Sequence, residues 1–224
     1  MINNNNKSFI SGSVSGFSQI IVGHPFDTVK VWLQVNKKQK YNIINLYRGI
    51  PFPLLSNSIV NAGVFGIYNY SKKYFNSDVI CGFIAGGLIS PIINVSDLYK
   101  IRNQNKIKTK FKLYKGFNAT FLRESIAFSS YFTSYNQSKY LLNNFFPNNK
   151  TINQLLSGGI AGITCWLITY PFDTIKTRIQ THNMNFKQAY NKGKLWIGLR
   201  FCLYRAFIVN SVGFYTYEYV MNNL

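Results

Sequence analysis

Six moderately apolar segments, at about 9–34, 50–71, 79–104, 117–140, 154–180 and 199–220, are separated by short polar and mostly basic stretches. Each is long enough for a helix of ~20–25 residues, the length that crosses a bilayer. None is an unbroken apolar run. Polar residues recur inside them, as in Ser11-Gly12-Ser13 and Ser129-Ser130. That pattern suits helices with one face toward lipid and one toward water or protein. It predicts an all-α membrane protein of six tilted helices. The competing reading is a soluble protein with six buried helices.

One residue frame recurs three times within these segments. Gly12, Gly16, Pro25, Asp27, Lys30 and Gln34 set it; Gly82, Gly86, Asp97, Lys100 and Gln104 repeat it, as do Gly158, Gly162, Pro171, Asp173, Lys176 and Gln180. The second Gly precedes the Lys by 14 residues in every copy. A second frame lies between: Tyr47-Arg48-Gly49 then Tyr68, Tyr114-Lys115-Gly116 then Tyr135, and Trp196-Ile197-Gly198 then Tyr217, with 19 residues from Gly to the second Tyr each time. Three copies in one register define an internal repeat, with units at 1–75, 76–150 and 151–224. Each unit holds an odd helix ending in D-x-x-K-x-x-x-Q and an even helix opening at the Gly.

Composition fits a membrane setting. Charged residues are 14% of the chain and hydrophobic ones 47%, whereas soluble domains carry about 25% charged residues. The net charge of +19 suits either nucleic-acid binding or membrane topology. Its distribution favours topology. Lys37, Lys38, Lys40 and Arg48, then Lys106 to Lys115, then Lys187, Lys192 and Lys194 follow the odd segments, while the opposite loops carry chiefly Lys72, Lys73 and Lys150. Positive charge gathers on one side, as the positive-inside rule expects, and no groove-reading motif for nucleic acid accompanies it. Cys81, Cys165 and Cys202 show neither metal-ligand spacing nor a disulfide framework. His24 and His182 have no nucleophile or metal partner in the pattern, so no enzyme, metal or cofactor is expected. The Asn-rich start, Met1 to Lys7, reads as a disordered tail without a presequence, so targeting would be internal.

The repeated P-x-D-x-x-K-x-x-x-Q joined to aromatic-basic-Gly resembles the mitochondrial carrier family. Pro25-Phe26-Asp27-Thr28-Val29-Lys30 and Pro171-Phe172-Asp173-Thr174-Ile175-Lys176 carry the likeness, which spans about Ser8 to Glu218. It implies a monomeric multi-pass transporter of the mitochondrial inner membrane with threefold pseudosymmetry, working by alternating access and exchange. The resemblance pairs Asp27 with Lys100, Asp97 with Lys176 and Asp173 with Lys30 in a matrix gate braced by Gln34, Gln104 and Gln180. The motif's own chemistry agrees: Pro kinks a helix, and Asp and Lys three apart share a helix face.

Several positions depart from the family pattern. Val95 stands in the second Pro slot, with Pro91 one turn earlier, and Trp32 replaces a basic residue that Arg102 and Arg178 keep. The loops after Gln34 and Gln104 are short, so the family's surface helices should be truncated there. The cytoplasmic gate is depleted. Tyr68 and Lys72, Tyr135 and Lys139, and Tyr217 and Glu218 occupy its slots, but Asn69 and Asn136 replace the acids. That leaves a Lys139–Glu218 ion pair and a Lys72–Asn136 hydrogen bond. The three Gly pairs should let helix backbones approach closely. By the resemblance, Arg48, Gly49, Lys115 and Gly116 would bind cardiolipin.

Substrate contacts implied by the family fall on Ser56, Asn57, Arg123, Glu124 and Arg205. Arginines within a membrane span are costly and usually functional, and their planar fork suits carboxylate or phosphate. A structural Arg123–Glu124 pair is the alternative, although adjacent helical residues face each other poorly. The Arg-acid pair resembles amino-acid carriers. Two arginines in a basic protein favour an anion, and the short, Asn-, Lys- and Ile-rich chain resembles carriers encoded by large DNA viruses. On that balance a nucleotide ranks just ahead of an amino acid or carboxylate.

Overall fold

The computed structural model describes residues 4–36, 42–105, 114–145, 150–182 and 184–223. Six long helices dominate: α1 (Asn4–Gln34), α3 (Pro51–Ser71), α4 (Asp78–Asn105), α5 (Phe117–Phe145), α6 (Lys150–Thr181) and α8 (Leu199–Asn223). Two short ones, α2 (Ile43–Leu46) and α7 (Phe186–Asn191), follow α1 and α6. Of the two loops expected to hold truncated surface helices, the one after Gln34 carries α2, a single turn, and the one after α4 lies outside the described residues; α7, with six residues, follows α6. Helix begins at Asn4, so the expected disordered tail is already helical from there, and residues 1–3 lie outside the description.

α3 packs on α4, α4 on α5 and α5 on α6, and α8 returns to α1, whereas α1 with α3 and α6 with α8 meet only marginally. Among the described residues only α4 is both long and apolar enough to cross a membrane by composition alone. Outward positions on the others are nonetheless apolar, including Phe17, Ile21, Ile59, Phe65, Leu122, Leu156, Ile163 and Leu203. Polar residues point inward instead, with Ser15, Thr28, Gln34, Asn94, Gln104, Glu124 and Gln180 all buried. A polar interior inside an apolar shell inverts the usual soluble arrangement.

Among the described residues of the Gly pairs, the predicted close approach occurs at Gly82 and Gly86. A Cβ on Gly82 would lie 2.6 Å from the Phe128 carbonyl oxygen, and one on Gly86 would overlap the Glu124 carbonyl. Glycine there lets α4 and α5 touch backbone to backbone. Gly16, Gly158 and Gly162 have open space where a Cβ would go, so their helices meet neighbours through other faces. The helix interior absorbs Pro91 locally. Proline leaves the Gly87 carbonyl without its amide partner, and the Ser90 hydroxyl donates to that carbonyl at 2.7 Å.

α1 and α6 are each tied to the loop that follows. Thr28 donates to the Leu46 carbonyl at 2.8 Å, and Thr174 donates to the Leu195 carbonyl at 2.7 Å. One turn earlier, His24 Nε2 donates to the Arg48 carbonyl at 3.1 Å and Tyr170 to that of Ile197 at 3.0 Å. His24 is thereby a buried loop anchor. Gly49 and Gly198 then turn the chain with φ of 93° and 89°, a left-handed conformation that Gly adopts without penalty. They pack on Lys100 and Lys30 of the following repeat, and Gly116 packs on Gln180.

Candidate functional site

The C-terminal halves of α1, α4 and α6 converge, and their motif residues meet in a ring. Lys100 Nζ lies 2.7 Å from Asp27 Oδ2, Lys176 Nζ 2.5 Å from Asp97 Oδ2, and Lys30 Nζ 2.6 Å from Asp173 Oδ2. Each acid thus pairs with the Lys of the next repeat, in the order that the family resemblance implies. The three glutamines do not act alike. Gln34 donates to Asp173 at 2.9 Å and so braces an ion pair. Gln104 donates instead to the Thr28 hydroxyl at 2.9 Å, and Gln180 to Asn94 Oδ1 at 3.1 Å. The expected threefold bracing is corrected to one brace and two links between helices.

A second tie runs beside the ring. Arg178 Nε donates to the Gln34 carbonyl at 3.1 Å, while its other nitrogens reach the Ala189 and Lys194 carbonyls. Trp32, standing where a basic residue was expected, donates its indole N–H to the Gln104 carbonyl at 3.1 Å. The substitution therefore keeps the hydrogen bond and loses the charge.

Above the ring lies a cavity of about 290 Å³. All five predicted contact residues line it: Ser56 and Asn57 from α3, Arg123 and Glu124 from α5, and Arg205 from α8. None of the charged three is free. Arg205 Nε sits 2.8 Å from Asp27 Oδ1, and Arg123 Nε sits 3.7 Å from Asp173 Oδ1. Arg123 also pairs with Glu124, whose Oε1 lies 3.2 Å from Lys176 Nζ. The sequence argument against an Arg123–Glu124 pair is corrected here. Both side chains bend toward the cavity because Lys176 and Asp173 draw them there. Ser56 is hydrogen-bonded to Ser96 at 2.8 Å across the α3–α4 seam. The cavity thus holds five cations (Lys30, Lys100, Lys176, Arg123, Arg205) against four carboxylates (Asp27, Asp97, Asp173, Glu124).

Trp166 is a cavity residue that sequence reasoning missed. Lys30 Nζ lies 4.3 Å from its ring centroid and Arg123 Cζ 5.6 Å, distances at which a cation is attracted to the ring face. Its only sequence signal was a Trp placed between Gly162 and Pro171 on an odd helix.

At the opposite end of the helices the expected Lys72–Asn136 contact is absent. Lys72 Nζ instead donates to Asp78 Oδ1 at 2.8 Å. Tyr68 also donates to Asp78, at 2.6 Å, and accepts from Asn136 Nδ2 at 2.9 Å. Asp78, at the start of α4, wins because a carboxylate attracts an ammonium more strongly than an amide does. Its hydrogen bond pushes the Lys72 ammonium above the usual lysine range. Lys139 lies 5.7 Å from the Tyr135 ring centroid. The side chains of Tyr217 and Glu218 lie outside the described residues, and with them the Lys139–Glu218 pair. Near the other end, Arg48 is exposed while Gly49 is buried, and Lys115 and Gly116 are half-buried.

A ring of helices with a polar, charged interior and a central closed-ended cavity defines a membrane transporter rather than a catalyst. The family model for mitochondrial carrier proteins matches residues 3–79 and 147–224, and the chain belongs to that family. It is accordingly a multi-pass transporter of the mitochondrial inner membrane and not an enzyme. The middle stretch outside the match contains Pro91 and Val95. Similar proteins include the mitochondrial basic amino acids transporter of Rattus norvegicus, 29% identical over 95% of this chain and 88% of the relative. The mitochondrial arginine transporter BAC2 of Arabidopsis thaliana is 29% identical over 97% of this chain and 91% of the relative. Mitochondrial substrate carrier family protein D of Dictyostelium discoideum is 29% identical over 100% and 91%. The first alignment runs over 270 positions against a chain of 224 residues, so the relative carries internal residues that this chain lacks.

Proposed function

We propose that this carrier moves an amino acid, with a basic amino acid as the favoured cargo. The carrying observation is the mixed charge of the cavity, where Arg123, Glu124 and Arg205 stand together with the ring acids. A nucleotide needs cations and an aromatic surface for its base, yet Arg123 and Lys30 already occupy Trp166. An amino acid needs both signs of charge at short range, and this cavity supplies both. The names of the similar carriers point the same way. This reverses the order in which sequence alone ranked nucleotide and amino acid.

In this reading Arg205 and Arg123 take the cargo carboxylate, and Asn57 and Ser56 supply polar contacts from α3. Six membrane spans surround the cavity. The Asp–Lys ring is the matrix gate, and the residues around Tyr68, Lys72, Tyr135, Lys139, Tyr217 and Glu218 form the cytoplasmic one. Cargo binding shifts the balance between the two closed states, most simply by exchange. Arg48 and Lys115, beside Gly49 and Gly116, offer cationic helix starts to cardiolipin phosphate, and a monomer suffices. Uptake of labelled arginine, lysine, neutral amino acids and nucleotides into liposomes holding the purified protein tests the reading. Arginine or lysine uptake, unaffected by excess nucleotide, is expected; nucleotide uptake alone would overturn it.

A further inference from the structure

The three ring acids are not equivalent. Asp27 has both oxygens engaged, Oδ2 by Lys100 at 2.7 Å and Oδ1 by Arg205 at 2.8 Å. Asp173 holds Lys30 and Gln34 on Oδ2 and faces Arg123 through Oδ1. Asp97 has Lys176 alone among the described residues, at 2.5 Å on Oδ2. Its side chain is also the most exposed of the three, at 30% against 21% and 12%. Lys176 is moreover divided, since Glu124 Oε1 lies 3.2 Å from the same Nζ. One corner of a cation-rich cavity is therefore short of positive charge.

We infer that Asp97 is the ligand for the side-chain cation of the cargo, and that binding there hands Lys176 over to Glu124. The inference rests on the amino-acid reading above. A guanidinium or ammonium entering the cavity meets Asp97 with one oxygen open. It repels Lys176, which already has a second carboxylate within reach. After the transfer, Asp97 holds the cargo, and Glu124 holds Lys176 and Arg123. Every carboxylate keeps a cation, so the Asp97–Lys176 latch opens without stranding a buried charge, the outcome that would otherwise cost most. Asp27 and Asp173 lack this route because, among the described residues, no second acid lies within ion-pair distance of Lys100 or Lys30.

The test compares arginine with citrulline, which has the same shape without the positive charge, in liposome uptake. Wild-type protein should prefer arginine. Asp97→Asn should lower that preference about tenfold, the size of one charge-assisted hydrogen bond, and Asp97→Glu should retain it. Asp27→Asn and Asp173→Asn break equivalent latches and should leave the arginine-to-citrulline ratio unchanged. Where a variant does not turn over, the same ratio is read from the concentrations of each amino acid that stabilise the detergent-solubilised protein against heat. An unchanged ratio in Asp97→Asn, or an equal loss in all three variants, would overturn the inference. Wild-type protein that moves neither amino acid would instead sink the amino-acid reading itself.

Discussion

At the scale of residues, the interior of this carrier is governed by the cost of a charge without a partner. Nine lysine, arginine, aspartate and glutamate side chains line one cavity, and each is within ion-pair distance of another. Removing one member of a buried pair costs roughly 3–5 kcal/mol, because the other stays behind. Arg205 is the informative case, since it touches the cavity and Asp27 together. Arg205→Ala should abolish uptake in liposomes while the protein still purifies as a folded species, because Lys100 remains to compensate Asp27. Trp32 offers the neutral counterpart. Trp32→Phe deletes the N–H that reaches the Gln104 carbonyl together with the five-membered ring of a buried indole. It should lower thermal stability by about 1 kcal/mol for the hydrogen bond plus the cost of the space left behind, measured by denaturation in detergent, whereas Trp32→Arg should recover the hydrogen-bond share by restoring a donor.

At the scale of elements, the middle repeat is packed differently from its neighbours. α4 and α5 meet through Gly82 and Gly86 with no room for a methyl group, while Gly158 and Gly162 on α6 face open space. Gly86→Ala should therefore destabilise the protein by about 1–3 kcal/mol or more, the usual cost of overpacking, and Gly162→Ala should change little. Parallel melting curves of the two variants check this; equal effects would show that the stripe serves both helices alike. α3 and α4 are joined at their other end by Asp78, which collects Lys72 and Tyr68. Asp78→Asn should loosen that end and increase proteolysis of the 72–77 link.

For the whole molecule, the two ends of the helix ring differ in strength. Three ion pairs tie α1, α4 and α6 together. The described residues at the opposite end show one ion pair, between Lys72 and Asp78, and it joins adjacent helices rather than closing across the ring. The empty protein should accordingly rest with its matrix side shut. Single cysteines placed in each vestibule report this: reagents from the cytosolic side should label fast and those from the matrix side slowly. Preferential matrix-side labelling would contradict it.

How much of this was legible beforehand depended on range. Periodicity and the threefold frame follow from local spacing, whereas the acid–base order around the ring was implied by the resemblance to the carrier family. The five contact residues were likewise named by the resemblance rather than by the pattern of this chain. Partner choice was a different matter. Whether Gln104 meets a carboxylate or Thr28, whether Lys72 meets Asn136 or Asp78, and whether Arg123 turns back on Glu124 are contests between groups distant in sequence. Differences of an ångström or two in separation decide them. The sequence by itself determined an all-helical chain with charged residues in register along its helices, and its likeness to the carrier family supplied the rest; only the tertiary structure decided the further partners of each charged group, since Coulomb attraction and hydrogen bonding depend on distances that no spacing along the chain encodes.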